Sequence, residues 1–229
     1  MKKIGILGSS GGSAFREALK LLQISGRSDD FSFMVVTDRE CGVEAVADDF
    51  HCPHQRIRFE GKSEFSAACC QEFQKSFQPD AIVLFFSRLI GRELFNVIPC
   101  VNFHPALLPA FPGLSALEDA HRSKVRFLGA TLHNVDETAD TGNIIAQTVM
   151  PVDADTDIKK YYDFSHIQIV YLFLLFCDCL QQDMFVRRDN NFVFSRKLDM
   201  TDRCNPRMID RHMENSVKAY QNERGLYVI

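Results

Sequence analysis

The chain has 229 residues, 46% of them hydrophobic and 24% charged, with a formal net charge of −4. That length holds one large domain, or one domain with a small appendage, and buries a sizeable core without disulfide or metal staples. The composition excludes a disordered chain, and the slightly acidic balance excludes a broad basic face for nucleic acid.

The first half alternates strand and helix signals. Lys3 to Gly8 is a short apolar run closed by glycine, read as a buried strand, and Ser9-Ser10-Gly11-Gly12-Ser13 follows as a loop. From Ala14, apolar residues recur at Phe15, Ala18, Leu19, Leu21 and Leu22, which is helical spacing. Phe31 to Thr37 reads as a second strand, Val43 to Asp49 as a short helix, and Ser63 to Phe77 as a helix with a Phe-lined face. Asp80 to Phe86 and Pro99 to His104 are two further apolar strands, the latter stopped by Pro105. Continuous apolar strands between helices predict an α/β fold. It is a Rossmann-like, mostly parallel twisted sheet with helices on both faces. Such sheets bind ligands beyond the carboxyl ends of their strands, here after Leu7, Thr37, Phe86 and His104.

The second half reads differently. Gly129 to Val135 and Asn143 to Val152 form strands that can pair antiparallel across the loop from Asp136 to Gly142. A long helix is expected from about Asp157 to Gln182. Its most apolar stretch, Ile167 to Leu180, is 14 residues and holds Gln168 and Asp178, so it reads as a buried helix and not a membrane span. Phe185 to Arg188 and Asn191 to Phe194 read as a hairpin turning at Asp189-Asn190, followed by a charged tail and a helix from Pro206 to Glu223. The expected division is residues 1–182, carrying the chemistry, and a smaller α/β extension over 183–229.

The chain has 20 Phe and no Trp, which predicts a Phe-rich core. Its eight Cys include no CxxC pair and lack zinc spacing, so no metal site is expected. The N-terminal apolar run stops at Gly5 and Gly8, too early for a signal peptide. A cytoplasmic chain with reduced, mostly buried thiols is expected, with neither nucleic acid nor membrane as partner.

Three segments carry chemistry. The loop Ser10-Gly11-Gly12-Ser13 stands between a strand and a helix, where glycines let backbone N–H groups approach an anion. It is neither a dinucleotide fingerprint nor a P-loop, and a plain tight turn with Ser13 capping the helix answers the same pattern. Asn102 and His104 are two apart on a strand, so both project from one face at its carboxyl end. An amide and an imidazole together can hold a developing oxyanion and manage a proton, although a buried His and a loop-capping Asn fit equally. Asp140 precedes Gly142 and an apolar strand, where a carboxylate can pair with an imidazole, or simply sit in a solvated acidic turn.

In order along the chain stand Asn102-x-His104-Pro105, Leu107-Leu108-Pro109, Phe111-Pro112-Gly113, Gly129-Ala130-Thr131-Leu132-His133 and Asp140-x-Gly142-x-Ile144-Ile145-x-Gln147. Together they resemble the folate-dependent formyltransferases over about residues 3–152. The resemblance implies transfer of a formyl group from 10-formyltetrahydrofolate, the cosubstrate, to a primary amine without a metal. It implies Asn102, His104 and Asp140 as the catalytic set. It places Ser87, Arg88, Leu89, Ile90, Val101, His133, Asp136, Thr138 and Ala139 against the folate, and Ser10, Gly11, Gly12, Ser13 and Pro105 against the acceptor. For His133 a structural role fits as well. The implied acceptor is a small phosphorylated amine such as glycinamide ribonucleotide; the alternative is the amino group of a nucleotide-linked sugar. A second copy of the chain is a further option as partner.

The sequence departs from the purine branch of that family in the stretch between Arg88 and Asn102, which is about two residues shorter, in its C-terminal part, which has no match there, and at single positions. Ala14 stands where the glycine loop there has Asn, Ser87 where it has Met, and Asn143 where it has Pro. A nucleotide-binding oxidoreductase or sensor is a rival reading. Its acidic ribose-binding residue could only be Asp38, after the second strand. A catalytically dead relative that binds a partner is a further rival, opposed by the complete Asn, His and Asp set.

Overall fold

Residues 1–199 and 204–225 are described in a computed structural model of the chain. Its elements in order are β1 (Lys2–Gly8), α1 (Ser13–Ile24), β2 (Phe31–Thr37), α2 (Gly42–Asp49), β3 (His54–Arg56), α3 (Lys62–Ser76), β4 (Ala81–Phe85), α4 (Arg92–Phe95), β5 (Cys100–His104) and α5 (Ala116–Arg122). Then follow β6 (Phe127–Asn134), β7 (Ile144–Pro151), α6 (Ile158–Gln181), β8 (Phe185–Arg188), β9 (Asn191–Phe194), β10 (Cys204–Asn205) and α7 (Arg211–Glu223).

Eight strands share one sheet in the order β10-β7-β6-β5-β4-β1-β2-β3. From β3 to β5 the pairs are parallel; β6 and β7 add antiparallel to their neighbours, as does β10 on β7. The mostly parallel sheet expected from the apolar runs is present. Chain order reverses between β1 and β4, and ligand crevices form at such a switch point.

Alternate strand residues feed two cores. Ile4, Ile6, Val35, Val83, Val101 and Phe103 pack with α1, α2, α5, α6 and α7 on one face. Leu7, Val36, Ile82, Leu84 and Cys100 pack with α3 and α4 on the other. Burial on both faces is why the strands read as unbroken apolar runs. The Phe-rich core is real: the rings of Phe15, Phe33, Phe85 and Phe103 all lie within 6.2 Å of the Phe173 ring, tying α1, β2, β4 and β5 to α6. Six of the eight Cys are buried, and burial raises the pKa of all eight thiols.

The α6 helix begins at the Asp157 cap, whose carboxylate accepts the Lys159 N–H at 2.8 Å. It packs against β5, β6, β7, α1, α5 and α7. The polar interruptions in its apolar stretch have partners. Gln168 donates to the Leu128 carbonyl at 3.3 Å, and Asp178 accepts from the backbone of Asp210 at 2.9 Å and of Ile209.

The expected division at residue 182 falls where the chain leaves α6 for the β8–β9 hairpin. Asp189 and Asn190 turn that hairpin with φ of 49° and 60°, the left-handed geometry of a two-residue turn. Beyond it, β10 joins the main sheet and α7 packs on α1 and α6. The expected tail helix starts five residues late, because Asp210 caps it at Arg211 through the N–H groups of His212 and Met213. The short elements β3, α4, α5 and β10 are not legible in the periodicity. They have 3, 4, 7 and 2 residues, too few to show a period.

Candidate active site

A cavity of about 650 Å³ opens at the carboxyl ends of β1, β4 and β5. Ser10 borders it after β1, and Ser87, Arg88, Leu89 and Ile90 border it after β4. Asn102, His104 and Pro105 reach it from β5, and His133 from β6. Asp136, Thr138, Ala139 and Asp140 close it from the β6–β7 loop. Four expected site residues stand outside this wall. Val101 points to the opposite face of β5 and is wholly buried in the α6 core. Gly11, Gly12 and Ser13 lie behind Ser10 on the way into α1. Phe86, Gly113, Leu114, Val135 and Ile169 line the cavity without having been singled out as site residues, although Gly113 sits in the quoted Phe-Pro-Gly motif.

The expected pairing of Asp140 with an imidazole is present. Asp140 Oδ2 lies 3.4 Å from His104 Nδ1 and accepts the Gly113 N–H at 2.8 Å. His104 Nε2 lies 2.7 Å from the Phe111 carbonyl oxygen, so both ring nitrogens face acceptors. The other Asp140 oxygen, Oδ1, is 3.7 Å from His133 Nε2, which in turn lies 3.4 Å from Asn102 Nδ2. Burial lowers the His133 pKa and outweighs the Asn134 carbonyl and the Asp140 carboxylate, which act the other way.

The quoted motifs hold this constellation in place. Thr131 Oγ1 donates to the Ala106 carbonyl at 2.7 Å and accepts from Leu108 N and Gln147 Nε2, both at 3.0 Å. Gln147 also donates to the Leu108 carbonyl at 3.0 Å. The segment after β5 is thereby pinned to β6 and β7. At Gly129 a Cβ would meet the Leu107 side chain at 2.4 Å, and at Gly142 it would stand 1.7 Å from the Asn134 carbonyl oxygen. Asp140 itself has φ of 57°, and Asp136 organises its loop through Thr141 Oγ1 at 2.8 Å and Thr138 N at 3.1 Å.

The glycine loop answers partly to packing. Gly12, with φ of 71°, is the N-cap of α1 and no side chain caps the helix, so Ser13 is its first residue and not its cap. The Ser13 hydroxyl lies 3.4 Å from His166 Nδ1. Ser9 ties this loop to the next one, 3.1 Å from the Ser87 hydroxyl and accepting the Ser87 N–H at 3.0 Å. Asp38, which the oxidoreductase reading needs for a ribose, is spent on cations. Its buried carboxylate pairs with Arg39 at 3.0 Å and with Arg88 at 3.0 Å, and the Arg88 guanidinium stacks 4.5 Å from the Phe59 ring. Among the described residues no group of three or more His, Cys, Asp and Glu could hold a metal ion.

The fold agrees with that of known proteins. The formyl transferase family model matches residues 2–169. The phosphoribosylglycinamide formyltransferase of Bacillus subtilis is 32% identical over 171 residues, which is 72% of this chain and 88% of that protein. The enzyme of the same name from Mycobacterium tuberculosis is 33% identical over 158 residues, covering 66% and 71%. The crystal structure of glycinamide ribonucleotide transformylase 1 from Geobacillus kaustophilus superposes with a TM-score of 0.69 at 32% identity, covering 76% of this chain and 95% of that one. The chain belongs to the formyl transferase family.

Proposed function

We propose that the chain transfers a formyl group from 10-formyltetrahydrofolate to the primary amine of glycinamide ribonucleotide. The observation that carries this is the His104–Asp140 pair beside Asn102 in the cavity of a formyl transferase family member. The substrate follows the similar proteins from Bacillus subtilis and Mycobacterium tuberculosis. The cavity suits the cosubstrate. Leu84, Phe86, Ile90 and Val135 give it apolar walls for a flat ring, and Asp136 and Thr138 add polar edges.

The residues divide the work. Ser87 to Ile90 on one side, and Asp136, Thr138 and Ala139 on the other, hold the folate, with His133 beside Asn102 at its edge. Ser10 and Pro105 face the acceptor, with Gly11 to Ser13 behind them. The folate supplies the formyl carbon. The Asn102 N–H and the His104 cation stabilise the negative charge that develops on the formyl oxygen when the amine attacks. Asp140 holds the His104 cation, and the pair passes the proton from the amine toward the leaving nitrogen.

A folate-release assay tests the reading. Purified protein is mixed with 10-formyltetrahydrofolate and either glycinamide ribonucleotide or nucleotide-linked amino sugars, and released folate is followed by absorbance. Turnover with the ribonucleotide is expected. Turnover with amino sugars alone would overturn the acceptor, and absence of both turnover and folate binding would overturn the whole reading.

A further inference from the structure

The neighbours of His133 fix what each ring nitrogen carries. Nδ1 lies 2.9 Å from the Asn134 carbonyl oxygen, which can only accept, so Nδ1 holds the proton. Nε2 lies 3.4 Å from Asn102 Nδ2, which can only donate, so Nε2 is the acceptor of a neutral ring. Asn102 and His133 are direct partners across the β5–β6 ladder, so sheet register sets the contact. The ring is only 2% exposed, and burial favours this neutral form.

We propose that His133 is a positioning residue whose unprotonated Nε2 holds one N–H of Asn102 and so turns the second toward the formyl oxygen. This rests on the formyl-transfer reading. A planar amide nitrogen has two diverging N–H bonds. With one engaged by His133, the other is left for the cavity that Asn102 lines. Without the acceptor the amide can turn over and present its carbonyl oxygen, which repels the developing charge. A proton on Nε2 would act likewise: it would face the Asn102 donor and engage Asp140 Oδ1, 3.7 Å away, in competition with His104. The effect therefore falls on the chemical step more than on folate binding.

The test compares His133→Leu, which removes the acceptor, with His133→Gln, whose Oε1 can restore it. His133→Leu is expected to lower kcat about 10- to 100-fold, a fraction of what a lost oxyanion donor costs, with a small change in KM for the folate. His133→Gln recovers most of that loss, and in an Asn102→Ala background His133→Leu adds nothing further. NMR of the ring nitrogens in the ligand-free protein at neutral pH is expected to show Nδ1 protonated and Nε2 bare. A protonated Nε2, a His133→Gln variant as slow as His133→Leu, or additive losses with Asn102→Ala would each overturn the proposal. The NMR reading needs no turnover, so it separates failure of this placement from failure of the formyl-transfer reading.

Discussion

Asp140 meets His104 at 3.4 Å from a backbone held at φ of 57°, with the Gly113 N–H bound to the same carboxylate oxygen. The carboxylate is thus aimed at the ring from two loops at once. Asp140→Asn keeps the shape and removes the charge. It is expected to lower kcat by about 10²- to 10⁴-fold, the range of a lost acid–base partner, while folate binding and the fold persist. Loss of folate binding with unchanged turnover per bound enzyme would contradict the assigned role.

Gly142 lets the Asp140 loop cross the Asn134 carbonyl, the same carbonyl that anchors His133. A Cβ 1.7 Å from that oxygen forces the loop away. Gly142→Ala should lose activity comparable to Asp140→Asn and destabilise the protein by about 1–3 kcal/mol, read from the denaturation midpoint.

Arg88 is held by the Asp38 carboxylate and the Phe59 ring at the folate side of the cavity. Arg88→Ala should raise the folate KM several-fold and leave kcat nearly unchanged. Arg88→Lys should not restore it, because an ammonium lacks the planar stack. Steady-state kinetics at varied folate decide this.

Phe173 sits among four other Phe rings and is fully buried. Phe173→Ala should cost about 3–5 kcal/mol, seen as a lower urea midpoint with an unchanged m-value.

His133 makes stability depend on pH. Its folded pKa lies below the usual 6.5, so in mild acid the unfolded chain binds more protons than the folded one. Stability therefore falls as pH drops through about 6.5 and continues down to the lowered folded value. The neighbours that face the ring are His104, Asp140 and Asp136. A His133→Gln protein should lose less stability than the wild type between about pH 7 and pH 5, measured as the midpoint at each pH.

Much of the frame was legible because both-face burial writes itself into the chain as apolar runs: β2 falls where Phe31 to Thr37 predicts it, and α6 within one residue of its expected ends. The β8–β9 turn was legible from Asp189-Asn190. The short elements β3, α4, α5 and β10 were not, nor was the late start of α7, since a cap at Asp210 competes with the helical pattern before it. At the site, the i, i+2 spacing put Asn102 and His104 together, but no local pattern shows that Asp140 returns to them across 36 residues; there the family resemblance supplied the link. The glycine loop shows a further limit. A Cβ on Gly42 would meet the Gly11 carbonyl oxygen at 2.5 Å, and one on Gly12 the Val43 backbone at 3.0 Å, so these glycines let α2 pack close. A sequence cannot tell that demand from a ligand's demand for bare backbone. Nor could it place Phe111, whose carbonyl holds His104, or Asn134, which anchors His133 and exchanges hydrogen bonds with Phe192 at 2.7 and 3.1 Å.

The most direct measurement follows an isotope-labelled formyl group from 10-formyltetrahydrofolate onto glycinamide ribonucleotide, with product identified by mass spectrometry. Label is expected on the acceptor amine with the wild-type protein, with a loss of orders of magnitude in its rate of appearance with Asp140→Asn. Label that stays on bound folate in the wild type, or reaches the amine as fast in Asp140→Asn, would contradict the proposed mechanism.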